Sequence, residues 1–283
     1  MYFSGIADEA GKPLDVQIRA HKELGWKHIE VRNVDNTTLA YATDKEFDEV
    51  HDKLRKAGLQ VSCFASQIAN WSRDVRGPFE KDEDELRRAI PRMRRMGTQF
   101  IRVMSYANKE NISEKDWRDE AIKRLRKLAR MAEDGGIILA HENCDGWGGL
   151  GPKQTNELVQ EVGSAAFRLV FDTGNTVSHR QGSWSYYREV KPHVAYIHVK
   201  DGRIENDKFV ATFPGEGAGD TRKILADLLA WYKGGISIEP HIAAVVHEGK
   251  ESGTDVMYKT YVEYGRRLMK LVEDMEKGRR VKK

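Results

Sequence analysis

A short apolar segment followed by an amphipathic one recurs eight times along this chain of 283 residues. The apolar segments are "YFSGIA", "HIEVR", "LQVSCFA", "FIRVMS", "IILA", "FRLVF", "VAYIHV" and "GISIE", starting every 25 to 40 residues or so. Each is short and most are rich in β-branched or aromatic residues, as strands require. The stretches between them have helical period. Trp117, Ala121, Leu125, Leu128 and Ala132 fall on one helical face, as do Val16, Ala20 and Leu24, and later Tyr261, Gly265, Leu268, Val272 and Met275. Glycines at 25, 58, 97, 135 and 234 sit where helices should stop, supplying the left-handed residue that ends them. Strand and helix in alternation imply a parallel sheet. Eight units close naturally into a (β/α)8 TIM barrel, and the length is near the ~250 residues usual for one. A doubly wound open sheet is the competing arrangement. The expectation is a single barrel domain over residues 1–283, ending in a frayed basic tail, "KGRRVKK", from about residue 277.

The bulk numbers exclude little but are consistent. With 47 Lys and Arg against 44 Asp and Glu, the net charge is +3, too weak to point to nucleic acid or a membrane surface. No apolar run reaches the ~18 residues of a spanning helix, and the N-terminus has no secretory pattern. Cys63 and Cys144 are the only cysteines, so no disulfide framework is expected and a cytoplasmic location is the default.

Four of the apolar segments end abruptly in polar groups that a buried strand should avoid. "IILAHENC" ends at Glu142, "LVFDTGN" at Asp172, "YIHVKD" at His198 and "ISIEPH" at Glu239, separated by 30, 26 and 41 residues, one strand–helix unit each. A barrel carries its active site at these C-terminal strand ends. Singly, each residue reads as a solvated strand end, an Asx-turn or a satisfied core histidine. Together, three carboxylates and an imidazole converging on the barrel axis suit one divalent cation: Mn²⁺ first, with Mg²⁺, Co²⁺, Zn²⁺ or Fe²⁺ as alternatives. Without a cation, the carboxylates would repel one another.

This order of strand-end residues, with "ELGWKHIEVR", "HENCDGWGG", "VFDTGN", "IHVKD", "PGEGAGD" and "ISIEPH", resembles the xylose isomerase-like barrel superfamily over nearly the whole chain. The branch it most resembles holds ketose 3-epimerases, hydroxypyruvate isomerase and inosose dehydratase. The resemblance implies that Glu142, Asp172, His198 and Glu239 hold the metal. It also implies that Glu142 and Glu239 move a proton beside a sugar carbonyl, through an enediolate stabilised by the metal. Many epimerases carry a histidine three residues after the Asp ligand. Here that residue is Asn175, which can bind a hydroxyl but cannot transfer a proton. His179, four residues on, is expected to lie too far along to replace it. Arg203 falls near the family's substrate-binding arginine.

Other residues are candidates on position alone. His241 and Lys200 share the faces of Glu239 and His198 and can meet substrate. Trp71 and Arg73 offer an aromatic and cationic wall, and Trp147 sits in "CDGWGGLG", whose glycines suit a mobile lid. Glu30 reads equally as a substrate ligand or a barrel anchor. The charged stretch "PFEKDEDELRRAIPRMRR" reads as a solvated helix face.

The leading expectation is a metal-dependent sugar isomerase or epimerase, acting on a small-molecule sugar or glycoside and forming a homo-oligomer. The first alternative is a lyase that eliminates water or an aglycone from a 3-oxo-sugar. This is the chemistry of inosose dehydratases and of C-glycoside deglycosidases, which work with a second subunit. His141 would then be a candidate acid or base, although strand alternation turns it away from Glu142. The second alternative is a non-catalytic sugar-binding subunit. The superfamily also contains endonuclease IV, a zinc nuclease acting at abasic sites in DNA. "SCFASQ" and "RVMSY" lack the extra histidines that chemistry requires.

Overall fold

The computed structural model describes residues 1–245 and 249–281. Eight parallel strands stand in a ring: β1 (Tyr2–Gly5), β2 (His28–Val31), β3 (Gln60–Ala65), β4 (Phe100–Ser105), β5 (Ile138–Gly146), β6 (Phe167–Asp172), β7 (Val194–Val199) and β8 (Gly235–Ile238). Pairing runs from β2 through β7 to β8 and β1, and a bridge between Ile6 and Glu30 joins the two ends. Each strand is followed by a helix: α1 (Leu14–Glu23), α2 (Asp44–Ala57), α3 (Glu80–Met96), α4 (Glu114–Gly135), α5 (Pro152–Val162), α6 (Ser183–Val190), α7 (Thr221–Trp231) and α8 (Thr254–Val281). This is the (β/α)8 barrel. Each of the eight strands starts in one of the apolar segments picked from sequence, with β5 running on to Gly146 and β6 to Asp172. Among the described residues, no helix is long and apolar enough to cross a membrane.

Strand alternation builds two layers. Outward-facing Ile101, Val103 and Leu139 pack on Leu86, Leu125 and Leu128. On the other side, Phe171, Ile197 and Ile236 pack on Tyr186, Leu225, Leu228 and Leu268. Inside the barrel, Cys63, Ala140, Val170 and Tyr196 form a small cluster of their own. Two residues further along the same strands stand Glu142, Asp172 and His198, still on the inner side. The apolar plug therefore sets the floor on which the polar groups rest.

Two helix ends differ from expectation. Gly135 is the last residue of α4, and the left-handed position is Gly136, at φ +68°. A Cβ on Gly135 would instead come within 2.9 Å of Ile90. Helix α7 stops at Trp231 with Tyr232 extended, so Gly234 is not its cap. Helix α8 extends to Val281, into the basic tail.

Nor is the charged stretch around α3 simply a solvated face. Asp82 and Glu85 are buried. Asp82 accepts the Ala69 N–H at 2.9 Å and Glu85 the Gln67 N–H at 3.0 Å. Both pair with Arg73. That knot ties the loop after β3 to α3.

Candidate metal centre

The C-terminal mouth of the barrel encloses a cavity of about 690 Å³. Its lower wall is polar, with Arg32 from the end of β2, Arg102 from β4, Glu142 from β5, and Lys200, Glu239 and His241 just past β7 and β8. Below them, Asp172 and His198 are wholly buried and in register with each other across β6 and β7.

One ligand atom from each of Glu142, Asp172, His198 and Glu239 can be chosen so that all four lie within 4.8 Å of one another. His198 Nδ1 is 2.9 Å from Glu142 Oε1. Lys200 Nζ is 3.3 Å from Asp172 Oδ2 and 2.9 Å from Glu239 Oε2. Asp172 Oδ1 accepts the N–H groups of Gly174 and Asn175, which fix the carboxylate, while its Oδ2 is buried and accepts no hydrogen bond.

The surrounding charges tell the same story. Six carboxylates (Asp8, Glu9, Glu30, Glu142, Asp172 and Glu239) face three basic side chains (Arg32, Arg102 and Lys200), all buried. The carboxylates outnumber the basic side chains by three. The donor atoms, the unsatisfied Asp172 oxygen and the charge deficit all fit a divalent cation.

The same field sets the protonation states. Burial raises the Asp172 carboxyl to about 6, against the pull of Lys200. Burial acts upward on Glu142 too, but Arg102 and His198 hold it down at about 2. Glu239 is likewise kept well below the usual carboxylate range, Lys200 and His241 outweighing its burial. Burial would lower His198, yet Glu30 and Glu142 raise it well above an ordinary histidine.

The remaining expected residues divide. Asn175, Lys200, His241 and Trp71 line the cavity. His241 has a left-handed backbone, φ +53°, and its N–H donates to Glu9 Oε2 at 3.0 Å. Such a conformation is uncommon for a residue other than glycine. It turns the ring toward Glu9 and Glu239, 3.4 and 3.3 Å from Nε2.

His179 also borders the cavity. A single turn, Asn175–Ser178, puts it on the face of Asn175. There its Nε2 lies 3.4 Å from Asp145 Oδ1.

Four expectations do not fit the geometry. His141 faces the helices, its Nε2 3.1 Å from Ser105 Oγ and its ring beside Phe167. Alternation along β5 allows no other direction. Trp147 is 2% exposed in a turn whose Gly148 N–H donates to Ser105. A Cβ on Gly149 would meet the Cys144 carbonyl at 1.6 Å, so these glycines serve close packing rather than a lid. Arg203 is half exposed and pairs with Glu205 in the hairpin Asp201–Glu205/Lys208–Thr212. It is Phe209, on the other arm, that lines the cavity. Arg73 belongs to the knot on α3, not to the wall.

Arg32 and Arg102 escaped the sequence reading, although the signal was there. On the inner side of a barrel strand, an arginine needs a buried acid as partner. Arg32 pairs with Asp8, Glu9 and Glu239, and Arg102 lies 3.5 Å from Glu142.

A family model described as xylose isomerase-like TIM barrel matches residues 18–259. The chain belongs to that family. A 2-epi-5-epi-valiolone 7-phosphate 2-epimerase from an Actinoplanes species is 33% identical over 156 residues, covering 55% of this chain and 53% of that protein. An inosose dehydratase from Bacillus thuringiensis is 26% identical over 103 residues, 36% of this chain and 34% of the other. The matches thus span about half and about a third of those relatives. Among solved structures, a D-tagatose 3-epimerase-like protein aligns at a TM-score of 0.76 and 17% identity, over 98% of this chain and 99% of that one. A xylose isomerase-like TIM barrel protein from Mycobacterium smegmatis, in complex with magnesium, aligns at 0.70 and 20%, over 97% of each. At these identities the likeness is one of fold.

Proposed function

We propose that this family member is a divalent-metal-dependent isomerase or epimerase of small polyhydroxylated carbonyl compounds, sugars above all, with Mn²⁺ as the first candidate ion. The observation that carries the reading is the buried quartet at the cavity floor, with two of its carboxylates, Glu142 and Glu239, three strands apart around the ring. The epimerase and dehydratase relatives support the same class of substrate.

Held by Glu142, Asp172, His198 and Glu239, the cation would act as a Lewis acid on the substrate carbonyl. The chain's own residues do the rest. Glu142 and Glu239 approach the substrate from separate sides, one taking the proton from the carbon beside the carbonyl and the other returning it. Both are held as carboxylates by their basic neighbours, Arg102 and His198 for one, Lys200 and His241 for the other. Lys200 and Asn175 donate hydrogen bonds to substrate oxygens, and His241 borders the same space. Trp71 and Phe209 give the C–H face of a ring an apolar surface.

A second reading, elimination from a 3-oxo-sugar or its glycoside, draws on two observations. One relative is an inosose dehydratase. The His179–Asp145 pair also lines the cavity, where it can protonate a departing group. A co-purifying second subunit would favour the deglycosidase form of this reading.

Metal-loaded protein incubated with free ketoses and with 3-oxo-glycosides, followed by NMR, separates the two. Epimeric or isomeric sugars support the first reading. An unsaturated ketone with released water or aglycone supports the second. Neither product from any member of the panel would overturn both.

A further inference from the structure

His198 is held at both ends of its ring. Nδ1, 2.9 Å from Glu142 Oε1, is the nitrogen turned toward the quartet. Nε2 points the other way and lies 3.2 and 3.1 Å from the two oxygens of Glu30. Glu30 stands on β2, fully buried, and Ser237 Oγ donates to its Oε2 at 2.5 Å. Ser237 is in register with His198 across β7 and β8. The two donors on Glu30 therefore come from neighbouring strands and lock its carboxylate in one orientation.

Glu30 is not among the residues lining the cavity, so it is not placed to touch substrate. A carboxylate at the centre of a barrel is costly unless its partners require it. The partners here are the imidazole and the hydroxyl.

We propose that Glu30 is the positioning residue of the metal centre. It accepts the Nε2–H of His198, fixes the ring, and selects the tautomer whose Nδ1 lone pair faces the cation. A carboxylate partner also makes the imidazole a stronger donor. The inference rests on reading Glu142, Asp172, His198 and Glu239 as a metal site.

The test compares wild type with Glu30→Gln, Glu30→Ala and Ser237→Ala. Each protein is stripped with a chelator and titrated with Mn²⁺, the free ion being read by electron paramagnetic resonance. In parallel, ¹⁵N NMR of histidine-labelled, Zn²⁺-loaded protein reports which ring nitrogen carries the proton.

Glu30→Ala should weaken Mn²⁺ binding about 10- to 100-fold. Glu30→Gln keeps an acceptor oxygen but not the charge, so it should fall between Ala and wild type. Ser237→Ala should show a smaller loss in the same direction. Wild-type His198 should keep its proton on Nε2 with Nδ1 bound to zinc. A purely structural role would shift the unfolding temperature and leave metal affinity and tautomer alone.

Wild-type affinity in both Glu30 variants, or zinc on Nε2, would overturn the proposal. If Glu30→Ala does not fold, the near-isosteric Gln variant decides. If wild type binds neither Mn²⁺ nor Zn²⁺, the metal-centre reading fails and takes this one with it. If wild type binds and the variants match it, only the role of Glu30 fails.

Discussion

Glu142 and Glu239 each keep an oxygen against a basic side chain, Arg102 at 3.5 Å and Lys200 at 2.9 Å, which favours the carboxylate form the proposed proton transfer needs. Replacing either by Gln keeps the shape and removes the proton acceptor. Glu142→Gln and Glu239→Gln should each lower turnover on the order of 10²- to 10⁴-fold, and at least one should retain metal. Steady-state kinetics with elemental analysis checks both points.

His141 behaves differently. Buried against Ser105 and Phe167, it should tolerate His141→Gln with less than about a 10-fold change in turnover. Its effect belongs to stability. Burial lowers its pKa from 6.5 to about 4, so between those values the unfolded chain binds the extra proton. Stability from this group is present above pH 6.5 and falls as pH drops toward 4, by roughly 1.4 kcal/mol per unit at most. Burial does the same to His21. Melting temperatures from pH 7 to 4.5 should fall less steeply in His141→Gln than in wild type, and parallel curves would refute the assignment.

The candidate quartet was legible because each member ends an apolar run. Arg32 and Arg102 were not, because a charged residue within or just after an apolar strand reads equally as a solvated end until its buried acid partners are seen. Parity already placed His141 on the wrong face. The short turn after Asp172 is a local device, since Asp172 Oδ1 accepts the N–H groups of Gly174 and Asn175, and a lone "DTGN" does not say that His179 comes to border the cavity.

At the scale of elements, the glycines show what sequence can and cannot say. Gly58 and Gly97 end α2 and α3 in the left-handed conformation, as their positions imply. "DGGI" offers two glycines, and the pattern does not distinguish them. Structure assigns the cap to Gly136 and close packing against Ile90 to Gly135. Gly136→Ala should therefore destabilise the protein by about 1 kcal/mol through backbone strain alone. Thr43 begins α2 with a reciprocal capping box to Glu46. Thr43→Ala should cost about 1 kcal/mol as well, and urea unfolding midpoints measure both. The loop "CDGWGGLG" failed as a lid for a related reason: glycine permits mobility and close approach equally, and only the neighbours decide.

For the whole molecule, eight strand–helix units give the ring, and the ring brings strand ends far apart in sequence to one floor. Chain length and periodicity pointed to that architecture over an open sheet, and the bridge between Ile6 and Glu30 joins its ends. The charge balance of the floor did not show in the net charge of +3, since it depends on which groups share the interior. On the proposed reading, a cation bound among six buried carboxylates and three basic side chains stabilises the fold. Metal at a hundred-fold excess over its Kd should add about 2.7 kcal/mol, seen as a higher melting temperature that chelation reverses. The central claim is proton transfer at carbon by the two glutamates of a metal-bound floor. Solvent deuterium exchange tests it most directly. In D₂O, metal-loaded wild type should place carbon-bound deuterium beside the carbonyl of a ketose or 3-oxo-glycoside. Stripped protein and Glu142→Gln should place almost none. Turnover of such a substrate without deuterium entering carbon, or equal exchange in the stripped protein, would contradict the account.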